Sequence, residues 1–239
     1  VLGKLAAVVA HELNNPLAAI SMYNQMMESE LPEPSPFDEH IDVIKRNTKS
    51  CQQIIHDLLD YARIPQPKIQ ETDLHKLLND VVLFLRPLHG DSSISIVRNF
   101  ESDDAICWGD PTQLQQVFVN LLVNAIQAVD EQSGTVRMYT RDVDEGRAIA
   151  VRIEDNGSGI DEAHRKDIFD PFFTTKSIGG TGLGLSTSAR IIEAHEGTLE
   201  LSSSKPGHTV FQVILPHLRT QQTTSLVQIE SDETIGITI

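Results

Sequence analysis

Long apolar runs, cysteine pairs and a basic surplus are all missing from this sequence of 239 residues, and each absence excludes a class of protein. No run approaches the roughly 18 apolar residues that a membrane-spanning helix needs, and no signal-peptide pattern opens the chain. The two cysteines, Cys51 and Cys107, have no CxxC spacing and are too few to crosslink a chain of this length. We therefore expect no membrane span, zinc site or disulfide framework, and we expect both cysteines to be buried thiols in a reducing cytoplasm.

The charge is strongly acidic, with 34 Asp and Glu residues against 19 Lys and Arg residues and a formal net charge of -15. This balance argues against nucleic-acid binding and against direct contact of this segment with an anionic membrane. The chain starts inside an apolar-periodic segment, "VLGKLAAVVAHEL", with no capping residue before it. Such a start indicates a piece of a longer protein, whose missing N-terminal part would be the place for any membrane anchor. For the segment itself we expect a cytoplasmic location.

Two apolar repeats near the start of the chain predict a pair of long helices. Their positions alternate in steps of three and four residues, which is the spacing of a helical packing seam. The members are Leu13, Leu17, Ile20, Asn24, Met27 and Leu31 in the first repeat, and Ile41, Ile44, Thr48, Cys51, Ile55, Leu58 and Ala62 in the second. Three prolines in the intervening "LPEPSPFDEH" end the first helix, so the pair forms an antiparallel hairpin. Two helices cannot bury this seam alone, and a second copy that completes a four-helix bundle is the simplest solution.

The pattern changes after "RIPQPK", whose prolines indicate a stiff linker. Helical spacing returns at 72–85, 109–129 and 184–195, and Asp110 and Pro111 are suited to cap and begin the second of these helices. Alternating strand patterns occupy 93–100, 135–143, 148–156, 198–204 and 209–216. The fold class is therefore α+β, with the dimerising hairpin followed by an α/β two-layer sandwich with a mixed sheet. The predicted domains are 1–64 for the hairpin, 65–70 for the linker, 71–218 for the sandwich and 219–239 for a tail of unknown role.

Three segments of the sandwich are suited to binding a nucleotide. Asn120 and Asn124 lie four residues apart and share a helix face, where carboxamide oxygens can ligate Mg²⁺ or orient its waters. "DNGSG" at 155–159 ends a strand with a carboxylate, followed by glycines that allow a ligand close to the backbone. "GGTGLGL" at 179–185 leads into a helix whose free N–H groups and positive dipole end favour phosphates. No GxxxxGK[ST] sequence occurs, so a P-loop enzyme is excluded.

The order of these segments, with "DPFFTTK" between the last two, resembles the N, G1, F and G2 boxes of the ATP-binding domain of sensor histidine kinases. That domain is similar to those of the heat-shock chaperone, gyrase and mismatch-repair ATPases. "HELNNPL" matches the H box of the same family, and "NAIQAV" with "FFTTK" looks like its nitrogen-regulation subgroup. The resemblance covers about residues 1–217, so the chain is similar to the whole catalytic core of such a kinase.

The resemblance implies ATP and Mg²⁺ as cofactors and a role for each matching residue. Asp155 accepts a hydrogen bond from the adenine amino group, and the glycines that follow it shape the same wall. Asn124 and Asn120 hold Mg²⁺, and the glycine run surrounds the phosphates beneath a mobile lid at roughly 160–181. The remaining residues implied in nucleotide binding are Gly157, Gly159, Gly180, Thr181, Gly182, Leu183 and Gly184. Phe172 and Phe173 of the F box either belong to the core or dock the lid on the helical hairpin.

His11 is the candidate phosphoacceptor. With Leu13 taken as buried, His11 lies about 200° away around the helix and faces outward. A neutral imidazole is the nucleophile that phosphoryl transfer needs, and Glu12 can take the proton from its other nitrogen. Asn15 shares the face of His11 and can hold Glu12 or a water. Pro16 lacks the N–H that would bond the Glu12 carbonyl, so we expect the helix to bend and loosen at this turn.

Two positions depart from the family pattern. Gln127 stands where many members have a lysine, so the cation that meets the γ-phosphate comes from elsewhere. Lys176 in "FFTTK" is our candidate for that catalytic and phosphate-binding cation. Glu196 replaces the usual glycine in "AHEGTL", which predicts a reshaped turn to which we attach no function.

The resulting hypothesis is a homodimeric kinase core that phosphorylates His11 from ATP and passes the phosphoryl group to an aspartate of a response regulator receiver domain. The HExxN pattern also implies phosphatase activity toward that regulator, with Asn15 orienting the attacking water. One alternative is an ATP-driven conformational clamp, which would carry a glutamate as general base where Asn120 stands. The other is a catalytically dead scaffold that signals by binding partners. Asn120 and His11 count against the clamp, and the intact motifs count against the scaffold.

Overall fold

The computed structural model describes residues 2–217 except 33, 63–64, 90–92, 103 and 177–179. The chain divides into two compact units, one made of Val1–Pro65 with Ile168–Thr187 and the other of Gln66–Asp167 with Ser188–Ile239. The predicted tail at 219–239 lies outside the described residues. The domain boundaries proposed from the sequence, which keep 71–218 together, stay a prediction.

The first unit contains a hairpin of two long helices, α1 (Leu2–Glu30) and α2 (Asp38–Ala62). α1 ends before Pro32, as the prolines of the connecting segment predict. The Ser35 N–H donates to Asp38 Oδ2 at 2.8 Å, which ties the connecting segment to the first turn of α2. No helix in the part of the chain that the structure describes is long and apolar enough to cross a membrane.

The seam predicted on α1 divides into two stripes. The covered stripe consists of Ala10, Asn14, Leu17, Ser21 and Asn24, which are buried or half-buried. Its last member contacts α2 directly, because the Asn24 amide donates to the Ile41 carbonyl at 3.2 Å. The second stripe stays largely exposed, with Leu13 and Ile20 each 46% and Met27 41% accessible. One copy of the hairpin therefore covers only half of the predicted apolar surface.

α2 shows the same division. Ile41, Thr48 and Ile55, each seven residues after the last, are buried, while Ile44 and Cys51 on the neighbouring stripe are exposed. The expectation that both cysteines are buried is thus wrong for Cys51, because it belongs to the stripe that a single hairpin leaves uncovered.

The second unit is built on a mixed sheet, as predicted. Four-residue strands β1 (Gln70–Asp73) and β3 (Ile106–Gly109) form a small antiparallel pair that the sequence patterns did not predict. The main sheet has the order β2-β4-β5-β7-β6, in which β2 runs parallel to β4 and the other neighbours are antiparallel. Its strands are β2 (Ser95–Phe100), β4 (Thr135–Val143), β5 (Ala148–Asp155), β6 (Thr198–Lys205) and β7 (His208–Pro216).

Three further helices supply the apolar layer: α3 (Leu74–His89), α4 (Pro111–Ala128) and α5 (Gly184–Ala194). α4 begins as predicted, with Asp110 accepting from the Thr112 N–H at 2.9 Å and proline as the first helical residue. α3 starts two residues later than predicted, because the chain before it is taken up by β1. Fully buried side chains from both layers form the core of the unit, among them Leu74, Leu78, Leu85, Leu114, Phe118, Leu121, Leu122, Met138, Ile149 and Ile153.

Candidate functional site

The candidate phosphoacceptor lies on the exposed side of α1. His11, Glu12 and Asn15 are all exposed, whereas Ala10 next to them is 1% accessible. The assumption that Leu13 is buried is wrong for the single chain, since Leu13 belongs to the uncovered stripe at 46% exposure. The outward direction of His11 nevertheless follows, because Ala10 marks the covered face.

Pro16 lies inside α1, and the helix continues through it to Glu30. Proline has no N–H, so the carbonyl of Glu12, four residues earlier, lacks its usual helical donor. The turn that carries His11 is therefore held by fewer backbone hydrogen bonds than the turns around it.

Asp155 stands at the end of β5 with its carboxylate 4% exposed. The Gly157 N–H donates to its Oδ1 at 2.9 Å, and the Thr209 hydroxyl on the paired strand β7 also donates to it. Burial raises the pKa of the Asp155 carboxyl above its ordinary value, and these two donors offset part of that rise. A buried acceptor at the end of a central strand is the kind of group that recognises an amino group of a ligand.

The glycines after Asp155 are required by close backbone packing. A Cβ on Gly157 would lie 2.3 Å from the carbonyl oxygen of Ala128 at the end of α4, and a Cβ on Gly159 would lie 2.7 Å from the carbonyl carbon of Lys205. Gly159 also has a φ of +79°, which favours glycine. The backbone thus passes between the end of α4 and the β6–β7 turn with no room for a Cβ at residues 157 and 159.

Asn120 and Asn124 are both half-buried and lie one turn apart on α4. The Asn120 amide nitrogen donates to the Ser188 hydroxyl of α5 at 3.0 Å, which leaves the carboxamide oxygen as its potential ligand atom. Asn124 lies one turn before Ala128, whose carbonyl accepts from the Ser158 N–H at 3.2 Å. The structure therefore brings Asn124 and the segment after Asp155 to the same end of α4.

The predicted lid at 160–181 is anchored at its start. The Ile160 N–H donates to the Ser204 hydroxyl at 2.7 Å, and the Arg165 guanidinium donates to the Ser204 carbonyl at 2.6 Å. Between these bonds, Asp161 caps a short 3₁₀ turn at Glu162–His164. These contacts connect 160–165 to β6, and the mobility predicted for the lid stays a prediction.

The glycine run lies in the first unit, packed on the F-box turn. The Phe172 N–H donates to the Gly182 carbonyl at 2.9 Å, and a Cβ on Gly182 would lie 2.4 Å from the Phe172 carbonyl carbon. Both residues have positive φ, +69° at Phe172 and +68° at Gly182. The core interpretation is wrong for Phe172, whose ring is 60% exposed, so its contribution here is made by the backbone.

Lys176 lies beside the start of the glycine run. A Cβ on Gly180 would come within 2.9 Å of Lys176 Cβ and 2.4 Å of Thr174 Oγ1, so these residues are in close contact. Lys176 is exposed as a whole, while partial loss of hydration around its side chain lowers the pKa of its ammonium group. The structure thus places the aliphatic part of the Lys176 side chain next to Gly180, with Thr181, Gly182 and Leu183 following toward the start of α5 at Gly184.

Three partners of the predicted residues were not identified from the sequence. They are Thr209, which donates to Asp155; Ser188, which accepts from Asn120; and Asp57, which accepts from the Thr181 hydroxyl at 2.7 Å. Each is remote in sequence from the residue that it contacts. Strand pairing of β5 with β7 could have indicated Thr209, but no sequence signal points to Asp57.

The metal-binding capacity of the site depends on amides. Among the described residues, no group of three or more His, Cys, Asp or Glu side chains could hold a metal ion. Asn120 and Asn124 offer two carboxamide oxygens, a donor set that suits a hard cation whose remaining ligands are phosphate oxygens and water. The residues present therefore fit Mg²⁺ bound together with a nucleotide.

Two family models match the chain. Residues 1–67 match the His Kinase A (phospho-acceptor) domain, and residues 109–219 match the Histidine kinase-, DNA gyrase B-, and HSP90-like ATPase. The signal transduction histidine-protein kinase AtoS of Escherichia coli (strain K12) is 35% identical over 215 residues, which cover 90% of this chain and 35% of AtoS. The sensory histidine kinase/phosphatase NtrB of Escherichia coli O157:H7 is 32% identical over 216 residues, which cover 87% of this chain and 60% of NtrB. The chain thus spans only part of the length of these relatives.

Solved structures give the same result. The catalytic domain of histidine kinase ThkA, in a nucleotide-free form, has 30% identity and a TM-score of 0.57, with 62% of this chain and 95% of that chain covered. Histidine kinase ThkA in complex with the response regulator protein TrrA has 27% identity and a TM-score of 0.68, with 92% of this chain and 63% of that chain covered. The phosphoacceptor model matches the helical hairpin, and the ATPase model matches most of the α/β sandwich that follows it. These matches confirm the resemblance inferred from the motifs, and the chain belongs to the sensor histidine kinase family.

Proposed function

We propose that this chain is an ATP-dependent protein-histidine kinase core that phosphorylates His11 and then passes the phosphoryl group to an aspartate of a response regulator. The observation that carries the proposal is the exposure of His11 on a turn of α1 where Pro16 removes a backbone donor. A nucleotide bound on another part of the chain must be able to reach the phosphoacceptor. It could not reach a side chain on the covered stripe of the hairpin.

The family resemblance supports a role for each nucleotide-binding group. Asp155 would accept a hydrogen bond from the adenine amino group, and the N–H groups near Leu183 and Gly184, at the start of α5, would bind phosphates. Mg²⁺, held by the oxygens of Asn120 and Asn124, would neutralise phosphate charge. Lys176 supplies a further cation beside Gly180.

In the transfer, one imidazole nitrogen of His11 forms a bond to the γ-phosphorus while the bond from that phosphorus to the β,γ-bridging oxygen breaks and ADP leaves. Glu12 takes the proton from the other nitrogen, so the imidazole ends neutral as a phosphohistidine. The protein contributes mainly positioning and electrostatic stabilisation to such a reaction.

Two partners complete the proposal. A second copy of the chain would cover the stripe of Leu13, Ile20 and Met27, which a single hairpin leaves exposed. The phosphoryl acceptor would be the receiver domain of a response regulator, which is supported by the ThkA structure in complex with the response regulator protein TrrA. Asn15, exposed one turn after His11, would orient the water that hydrolyses the aspartyl phosphate of the regulator, which releases inorganic phosphate and restores the aspartate.

The rival clamp function requires a general base at position 120. Asn120 is a carboxamide that donates to Ser188, so it cannot take a proton from water. Because residue 120 is a carboxamide and not a carboxylate, it favours phosphoryl transfer to a side chain over hydrolysis that needs a general base at this position.

The decisive experiment is incubation of the chain with γ-labelled ATP and Mg²⁺, followed by acid treatment of the labelled protein. We expect acid-labile label on the wild type and on His40→Gln, and none on His11→Gln, although His11→Gln still binds ATP. His40 is a suitable control because it is also an exposed helical histidine. Acid-labile label that persists on His11→Gln would assign the acceptor to another histidine.

A further inference from the structure

A side-chain pair connects the glycine run to the helical hairpin by a hydrogen bond. The Thr181 hydroxyl donates to Asp57 Oδ2 on α2 at 2.7 Å. The other carboxylate oxygen, Asp57 Oδ1, accepts from the Gln53 amide at 2.7 Å, and the side chain of Asp57 is 25% exposed. Both oxygens are thus occupied, and the carboxylate is partly shielded from water, which strengthens its bond to the hydroxyl.

The same hydroxyl also engages the backbone at the start of α5. The Leu183 N–H donates to Thr181 Oγ1 at 3.4 Å, one residue before the helix begins at Gly184. N–H groups at this position have no partner within the helix and are the groups that attract anions. A continuous path therefore runs from a phosphate-binding amide through the Thr181 hydroxyl to the Asp57 carboxylate.

We propose that Asp57 is an intramolecular competitor of the nucleotide phosphates, a latch that holds the glycine run against α2 until nucleotide binds. The proposal rests on the function proposed above, because it assigns regulation to the same phosphate site. In the latched form, the carboxylate occupies the hydrogen-bonding role that a phosphate oxygen takes when the nucleotide is present.

The competition follows from the one hydrogen that the Thr181 hydroxyl donates, which goes either to the Asp57 carboxylate or to a phosphate oxygen, and charge repulsion adds to it. A triphosphate placed at Leu183 would bring several negative charges close to the Asp57 carboxylate, and like charges repel strongly where water is partly excluded. Nucleotide binding therefore weakens the Thr181–Asp57 bond and frees the glycine run from α2. By linkage, the bond must weaken nucleotide binding by the same factor. Asp57 is thus a positioning residue that acts through Thr181 and touches no reacting atom.

Asp57→Asn should test this directly, because it removes the charge while it preserves the shape of the side chain. We expect ADP and ATP, each with Mg²⁺, to bind about 3- to 10-fold more tightly to this variant of the full chain, with a matching fall in KM for ATP. The matched control is Asp60→Asn on the same helix, which removes an equal charge from a side chain that shares His56 with Asp57, at 3.4 Å and 4.0 Å respectively, whereas the Thr181 hydroxyl donates to Asp57. We expect Asp60→Asn to bind nucleotide as the wild type does, and thermal melting to show that both variants are folded.

Thr181→Val completes a double-mutant cycle. In the Thr181→Val background, Asp57→Asn should no longer tighten nucleotide binding, because the hydroxyl that connects the carboxylate to the site is gone. A gain that persists in this background, or an equal gain from Asp60→Asn, would overturn the latch in favour of general charge repulsion. If the wild type binds nucleotide and labels His11, but Asp57→Asn binds nucleotide no more tightly than the wild type, the latch is overturned and the proposed function is not. A wild type that binds no nucleotide would overturn both the latch and the proposed function.

Discussion

Replacing Asp155 by asparagine is expected to raise stability and lower nucleotide affinity at the same time. Burial raises the pKa of this carboxyl, so the folded state binds its proton more tightly than the unfolded state does. Stability then falls as pH rises from the ordinary value of 3.8 through the higher folded pKa, and the ionised carboxylate costs folding free energy at neutral pH. Asparagine cannot ionise and keeps an oxygen for the Gly157 N–H, so Asp155→Asn should be the more stable protein near pH 7.

The same change should weaken binding of ADP and ATP. The amide presents a donor where the adenine amino group requires an acceptor, and an unmade buried hydrogen bond costs about 1–3 kcal/mol. That cost corresponds to about 5- to 150-fold in Kd.

The assay is urea denaturation of the full chain from about pH 4, close to the ordinary carboxyl pKa of 3.8, to about pH 8, with nucleotide titration calorimetry at neutral pH. The stability difference between variant and wild type should shrink as pH falls. Glu154→Gln is the control, because Glu154 precedes Asp155 on β5 but pairs with Arg137 at 3.0 Å and is less buried. A less stable Asp155→Asn at neutral pH would refute the burial argument, and unchanged nucleotide affinity would remove Asp155 from the pocket.

Four further outcomes are expected. Gly157→Ala should lower the free energy of unfolding by about 1–3 kcal/mol in urea denaturation, because its Cβ would meet the Ala128 carbonyl oxygen at 2.3 Å; a neutral result would mean that α4 yields. Glu196→Gly should add about 1 kcal/mol in the same assay by relieving a φ of +57°, whereas Glu196→Ala should not; equal effects would exclude backbone strain as the cause. Lys176→Ala should slow labelling of His11 by about one to three powers of ten while ADP affinity barely changes, and an equal loss of ADP affinity would contradict a role at the γ-phosphate. Asn15→Ala should impair dephosphorylation of the response regulator more than labelling, and equal losses would instead tie Asn15 to the His11 reaction.

The main elements were predictable because their determinants are local. The proline and N-cap before α4 and the alternating pattern of β4 specify each element within a short window of sequence. β1 and β3 were missed because four residues are too few to show a period, and their pairing depends on partners more than thirty residues apart. The reshaped turn predicted at Glu196 stays a prediction, and Glu196 has a positive φ of +57°, a conformation that favours glycine.

The predicted seam shows why apolar periodicity alone does not predict which residues of a helix are buried. A heptad repeat identifies which residues on α1 are apolar, but Ala10 with Asn24 and Leu13 with Ile20 satisfy almost the same spacing on neighbouring stripes. Which stripe is covered within one chain depends on the rotation of α1 against α2, and this rotation is set by contacts such as the bond from Asn24 to the Ile41 carbonyl. The exposure of Cys51 follows from the same rotation.

The amino-acid order alone specified the chemistry of the site, because His11, the asparagine pair, the carboxylate at Asp155 and the glycine run are each recognisable from residue type and spacing. Tertiary structure decided the partners of these groups: Thr209 at Asp155, Ser188 at Asn120 and Asp57 at Thr181. The physical reason is the sequence separation over which each determinant acts. Helical spacing and turn chemistry act over a few residues, whereas Asp57 and Thr181 are 124 residues apart and meet only because the chain folds back on itself.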